Sequence, residues 1–203
     1  MRVTLAALLL AGAGPVAAQD FDYYLLALSW SPSWCLTDGA PDHPQCDPDR
    51  DLGFILHGLW PQYEEGGWPQ DCDTDARDPS RRETGAMRDV MGDGGLAWYQ
   101  WKKHGRCTGL DPADYFADAR AAFAGVTQPR LGGMPVSATA LRVAFLALNP
   151  GIPPDGVVVV CQGGRLDEVR LCLDRDLDPR SCGRDVRDDA CRVSRPLEVP
   201  PIP

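Results

Sequence analysis

Apolar and polar positions along this chain follow two periods. Residues 21–30 (FDYYLLALSW) are aromatic and apolar almost throughout, the pattern of a buried strand. Leu52, Phe54 and Leu56 alternate with Gly53, Ile55 and His57, so a second strand runs into His57-Gly58-Leu59-Trp60-Pro61. Residues 31–50, rich in Pro, Asp and Cys, and residues 63–79, rich in Gly, Asp and Pro, read as loops. The middle of the chain carries helix signals. Ser80 with Glu83 forms a capping box for a helix to about Met91. Residues 96–104 predict another, closed by Gly105 in the left-handed position past a helix end. Asp111, Pro112 and Asp114 open a helix over 112–123 that stops at Gly125. Ser137 caps one through Leu148, ended by Asn149-Pro150-Gly151. Residues 157–161 and 169–173 return to strand character, as a hairpin or as neighbouring strands, and the Pro-rich tail from Pro196 reads as extended. The predicted class is α+β: an antiparallel sheet core with several helices packed against it.

Composition narrows this picture. With 21 glycines and 19 prolines in 203 residues, long helical bundles and coiled coils are poor candidates, while 44% apolar residues suffice for a core. Arg2, the apolar run from Val3 to Ala13 and the small residues Val16-Ala17-Ala18 predict a secretory signal peptide over 1–18. The remainder, 19–203, is expected to be a single domain, secreted or periplasmic, with no segment long enough to span a membrane.

Export gives the cysteines meaning. All 8 follow Ala18, so an oxidising compartment predicts four disulfides, and the lack of a Cys-x-x-Cys pair weakens thioredoxin-like and zinc-ribbon readings. Eight cysteines allow 105 pairings, so counting leaves the connectivity open, although local spacing favours a short Cys35–Cys46 staple and a nested pair of bridges among Cys161, Cys172, Cys182 and Cys191. The net charge of −9 gives no general attraction for nucleic acid. A polyanion would have to be held by a local basic cluster and by stacking.

Only three histidines occur, at 43, 57 and 104. His43 lies in a Pro-flanked loop. His57 ends the second strand. His104 ends the helical segment 96–104, where residues three and four apart share a face, so Gln100, Lys103 and His104 form one polar cluster with Tyr99 at its edge. Trp98 and Trp101 point elsewhere and are expected to anchor the helix in the core. Two imidazoles and an ammonium are what metal-free phosphodiester cleavage needs. One imidazole removes a proton from a hydroxyl nucleophile, the other protonates the leaving oxygen, and the cation offsets charge on the phosphorane. Histidine suits both roles because its ordinary pKa, near 6.5, allows both protonation states at mildly acidic pH.

The string Phe54-Ile55-Leu56-His57-Gly58-Leu59-Trp60-Pro61 resembles the first active-site segment of the ribonuclease T(2) family of endoribonucleases, and Trp101-Lys102-Lys103-His104-Gly105-x-Cys107 resembles the second. Tyr24-x-Leu26-x-Leu28-x-Trp30-x-Pro32-x-x-Cys35 and Gly164-x-Leu166-x-Glu168-Val169-x-x-Cys172 extend the resemblance over nearly the whole mature chain. It implies cleavage of single-stranded RNA with little base preference, leaving a 2′,3′-cyclic phosphate, with no cofactor. It further implies no action on DNA, no membrane partner and a monomer. It makes His104 the base, His57 the acid, and Lys103 the stabiliser of the pentacovalent phosphate, with Gln100 at the position of an assisting residue. It places Trp60, Tyr99 and Tyr63 as substrate-binding side chains. Lys102 and Arg106 would join Lys103 in a local phosphate site. Its disulfides would be Cys72–Cys107, Cys161–Cys191 and Cys172–Cys182, beside Cys35–Cys46.

Two positions depart from the family's pattern. Tyr99-Gln100-Trp101 stands where the family usually has His-Glu-Trp. Gln100 keeps the length and hydrogen bonding of a glutamate but cannot raise the pKa of His104 as a carboxylate would. A catalytically weakened RNA-binding or toxin-like secreted protein on the same fold is therefore the alternative. Asp71-x-Asp73-x-Asp75 looks like the start of a calcium loop, but Ala76 stands where the sharp-turn glycine belongs and Arg82 where the bidentate glutamate belongs. A serine hydrolase is disfavoured because no Gly-x-Ser-x-Gly occurs.

Overall fold

The computed structural model describes residues 20–40 and 42–202, so the expected signal peptide lies outside the described residues. Four strands form one antiparallel sheet: β1 (Tyr23–Trp30), β2 (Phe54–Gln62), β3 (Val157–Gln162) and β4 (Arg165–Leu173), in the order β2-β1-β4-β3. The near-continuous apolar run of β1 is explained by its central place, since both of its faces are covered. Tyr24, Leu26, Leu28 and Trp30 enter the main core with Leu56, Val169 and Leu171. Tyr23 and Leu25 face the other way, into a smaller cluster with Val158, Cys172, Cys182 and Val186. That second face carries the functional cleft.

The helices follow their caps. Ser80 and Glu83 make the reciprocal capping box that opens α2 (Arg81–Gly85). The helix expected through Met91 breaks there and resumes as α3 (Arg88–Met91). The break lets both Met87 and Met91 enter the core, and Arg120 takes up the freed carbonyl of Ala86 at 2.6 Å. The next helix, α4 (Gly94–Lys103), starts ahead of its expected position because Asp93 accepts from Gly95 N at 2.6 Å. Asp111 caps α5 (Pro112–Ala124) and Ser137 caps α6 (Ala138–Leu148). On the main-core face, α5 is tied to the sheet by Tyr115, whose hydroxyl donates to Leu59 O at 2.9 Å.

Two helices are additions to the sequence reading. Residues 31–50, expected as a loop, begin with α1 (Ser31–Thr37), whose Pro32 sits in the first turn, where a missing N–H costs nothing. A short α7 (Arg184–Asp188) follows β4 and forms a wall of the cleft. The extended tail is as expected. It bridges Val136 with Leu197, and Pro200 O accepts from the buried Trp30 Nε1 at 3.0 Å. The structure pairs Cys35 with Cys46, Cys72 with Cys107, Cys161 with Cys191 and Cys172 with Cys182. Among the described residues no helix is long and apolar enough to cross a membrane.

Candidate active site

The cleft is built on a fault in the sheet. The β1–β2 register passes from Ala27↔Gly58 to Leu28↔Leu56, which leaves His57 as the extra residue of a bulge, without a partner on β1. A bulge bends its strand and re-aims the extra side chain. On the other side of β1, Ala27 pairs with Arg170 and Ser29 with Glu168. Ala27 and Gly58 are small, so side chains from β2 and β4 meet over them. His57 Nδ1 lies 2.5 Å from Glu168 Oε1, and Arg170 Nε donates to Glu168 Oε2 at 2.8 Å. Arg170 Nη1 donates in turn to Asp189 Oδ2 at 2.7 Å. Burial pushes the Glu168 carboxyl up, but the hydrogen bond and charge of His57 and the cation of Arg170 outweigh it and hold the pKa down at about 2.

The second half of the site is the end of α4. Gln100 is buried and its Oε1 accepts from Trp60 Nε1 at 2.7 Å. A Cβ at position 58 would lie against the indole nitrogen and 2.5 Å from Gln100 Oε1, so only glycine admits this hydrogen bond. The Trp60 ring stacks on His104 with centroids 5.1 Å apart, meets His57 edge-on at 5.1 Å, and has the Arg170 guanidinium 5.6 Å from its centroid. His104 follows the last residue of α4, where its N–H still donates to Gln100 O at 2.9 Å. Its ring is buried, and its Nδ1 has no hydrogen-bond partner among the described residues. Burial, then the charges of Lys103 and His57, push its pKa down to about 3, so the ring is a neutral imidazole at ordinary pH. Lys103 Nζ donates to Tyr99 Oη at 3.2 Å.

This helix end is firmly held. Cys107 pairs with Cys72, and Asp71 N donates to Lys103 O at 2.8 Å. Gly105 does not take the left-handed conformation expected of it; it opens a short 3₁₀ turn, Gly105–Thr108. What it supplies is room, since a Cβ there would meet Trp101 Cε3 at 2.6 Å and the Tyr115 ring at 2.9 Å.

These groups line one cavity of about 390 Å³. His57, Trp60, Tyr99, Gln100, Lys103 and His104 all face it, as the helix spacing and strand end predict. Tyr63 is not on its wall; that residue starts a turn closed by Tyr63 N to Gly67 O, and Trp68 beyond the turn lines the cleft instead. Lys102 points away, to Asp78 at 3.3 Å and over the Trp98 ring, and neither it nor Arg106 lines the cavity. The second lining cation is Arg170. Trp98, expected as a core anchor, is 41% exposed, whereas Trp101 is fully buried as expected. His43 sits apart, accepting from Gln45 N and packed on Trp34.

Helix spacing says nothing of Glu168, Arg170, Asp185 or Asp189. The one available signal is the Gly164-x-Leu166-x-Glu168 string, which places a carboxylate in a strand that is otherwise largely buried. Asp71, Asp73 and Asp75 form no metal-holding group; among the described residues no cluster of three or more His, Cys, Asp or Glu side chains is arranged to hold an ion.

Comparison with known proteins bears on this arrangement. The sequence model of the Ribonuclease T2 family matches residues 21–128. A "Ribonuclease" from Aeromonas hydrophila is 44% identical over 98 residues, which is 48% of this chain and 43% of that protein. "Ribonuclease 3" from Arabidopsis thaliana is 38% identical over 113 residues, 49% of this chain and 50% of that protein. The chain thus spans about half the length of these curated relatives. Among solved structures, the RNase-related protein from Calystegia sepium aligns with a TM-score of 0.70 at 20% identity, covering 91% of this chain and 99% of that one. RNase NT in complex with 5'-AMP aligns at 0.62 and 24%, covering 90% and 100%. At these identities the structures establish a shared fold.

Proposed function

The chain belongs to the Ribonuclease T2 family, and from that premise we propose that it is an endoribonuclease cleaving single-stranded RNA by transphosphorylation, without a metal ion. The observation that carries the reading is the meeting of His57, His104 and Lys103 on one cavity, with the two imidazoles in opposite surroundings. His104 is buried beside the Lys103 cation, which keeps it neutral and able to take a proton. His57 sits against an ionised carboxylate, which fixes Nδ1–H and leaves Nε2 to hold a proton towards the cleft.

The reaction then runs as an acid–base pair. His104 takes the proton of the 2′-hydroxyl as that oxygen bonds to phosphorus. The bond from phosphorus to the 5′-oxygen breaks, and His57 gives its proton to the departing oxygen. The products carry a 2′,3′-cyclic phosphate and a 5′-hydroxyl. Lys103 places its charge on the pentacovalent phosphate, with Tyr99 steadying the ammonium. An anionic phosphodiester beside His104 favours the imidazolium and strengthens it as a base. Trp68 and Tyr99 are both exposed beside the cavity, and stacking on them needs no base-specific contact, which suits low base preference. Trp60, already touching His57, His104 and Arg170, holds the reacting groups as well as bounding the base site. Four disulfides and the leader-like start of the chain support work in a secreted or periplasmic compartment by a single domain.

The test is a digest of single-stranded RNA in excess chelator with analysis of the product ends. Cyclic phosphate and 5′-hydroxyl ends are expected from the wild type, with loss of cleavage in His57→Ala and His104→Ala and no action on DNA, which lacks the 2′-hydroxyl. RNA that survives a folded wild-type protein, or cleavage that stops on chelation, overturns the proposal.

A further inference from the structure

We propose that Glu168 is a positioning residue for the protonation of the leaving oxygen: its carboxylate clamps Nδ1–H of His57, and Arg170 with Asp189 holds that carboxylate in place. This rests on the reading of His57 as the acid and assigns a function to a residue on a different strand, 111 positions away.

The geometry is specific. Glu168 is 5% exposed, and a carboxylate so buried is costly unless its oxygens are matched. One oxygen faces His57 at 2.5 Å and the other faces Arg170 at 2.8 Å, so each has its own partner. An ion pair built only to neutralise Glu168 would be complete with Arg170. The sheet does more than that. His57 is displaced by the bulge, Ala27 leaves the space between the strands open, and Glu168 on the far strand fills it. The imidazole is left with one ring nitrogen fixed and the other directed at the cavity, where an acid must stand. The second layer is equally ordered, since Arg170 spans Glu168 and Asp189 while its guanidinium lies over Trp60. Other titratable groups near the pair are Asp167, next to Glu168, and His104 and Lys103 on the cavity wall.

A group acting through the acid must matter in proportion to how much the leaving group needs a proton. The experiment compares a ribodinucleoside phosphate, whose 5′-alkoxide must be protonated, with a nucleoside 3′-(4-nitrophenyl phosphate), whose nitrophenolate leaves without one. In Glu168→Gln, kcat on the dinucleotide should fall about 100-fold, within the range general acids supply, with KM little changed. On the nitrophenyl substrate the loss should stay within about threefold, and His57→Ala should show the same selectivity. Equal losses on both substrates mean a merely structural Glu168 and overturn the inference, as does no loss on either. A wild-type protein that cleaves neither substrate overturns the function itself. Should Glu168→Gln fail to fold, the ¹⁵N spectrum of the wild-type imidazoles decides. A proton on Nδ1 of His57 is expected whether or not Nε2 also carries one, and a ring whose single proton sits on Nε2, or exchanges rapidly between the two nitrogens, defeats the proposal.

Discussion

Restoring a carboxylate at position 100 tests how this site sets the strength of its base. Gln100 is 1% exposed, sits one helical turn before His104, and accepts from Trp60 Nε1 at 2.7 Å. Gln100→Glu keeps the side chain's length and that hydrogen bond while adding one negative charge. Side chains four apart on a helix lie about 6 Å from one another. At an effective dielectric constant of about 20, a charge pair at that distance is worth roughly 3 kcal/mol, or about 2 pKa units. His104, now held at about 3 by burial and its cationic neighbours, should therefore rise by about 2 units. The acid limb of kcat/KM reports the free enzyme's base, so it should move towards neutral pH by that amount. The assay is kcat/KM on a dinucleotide across about pH 3 to 8, in chelator at fixed ionic strength, with thermal unfolding to verify the fold. An acid limb that superimposes on that of the wild type in a folded variant would refute both the electrostatic argument and the part given to position 100.

Three further outcomes are expected. Gly58→Ala places a Cβ against the indole nitrogen of Trp60 and the Gln100 amide, so it should cost about 1–3 kcal/mol and lower kcat/KM at least tenfold, whereas Gly151→Ala, with nothing within 4 Å, should do neither. Thermal unfolding and initial rates on the two variants decide it. Replacing Cys72 and Cys107 together by alanine opens a link spanning 35 residues and should cost about 4 kcal/mol, read as a drop of about 10 °C in Tm, with activity falling below the unfolding transition as the end of α4 loosens. Stability should also decline in acid. The unfolded chain protonates His104 near 6.5 and the folded one only near 3, so stability falls as the pH drops between those values, by at most about 5 kcal/mol. Glu168, at about 2 folded against 4.5 unfolded, continues the decline below pH 4.5. In His104→Gln the urea midpoint should lose its slope between about pH 6.5 and 4.5, above the range where Glu168 acts; parallel curves there would show that His104 is not held neutral by the fold.

Much of this fold is legible because its signals are local. Asp111, Ser137 and the Ser80–Glu83 box each cap a helix that begins where they stand. The spacing of Gln100, Lys103 and His104 puts them on one face without knowledge of the rest of the chain. What the sequence conceals is set by distant contacts. Helix α1 is hidden in a Pro- and Asp-rich stretch that composition marks as loop, although Pro32 fits a first turn. Trp98 and Trp101 look equivalent, but only Trp101 faces Tyr115 and Phe116, while Trp98 lies under Lys102 at the surface. Glu168 reads as one carboxylate in a strand until the strand order β2-β1-β4 brings it to His57. No periodicity records that meeting, because it depends on a bulge in β2 and a small residue in β1.

The order of the disulfides along the chain has a consequence for how the protein is made. Cys35–Cys46 and Cys72–Cys107 each join cysteines that follow one another in sequence, whereas Cys172–Cys182 lies nested inside Cys161–Cys191. A chain oxidised as it emerges from its N-terminus forms the first two bridges simply by pairing each cysteine with the next. The same rule applied to the C-terminal half joins Cys161 to Cys172, which is wrong. In such a chain the half that carries His57 and His104 can be locked during synthesis. The half that carries Glu168 and Arg170 must wait for its last cysteine, or be reshuffled by an isomerase, before His57 acquires its partner.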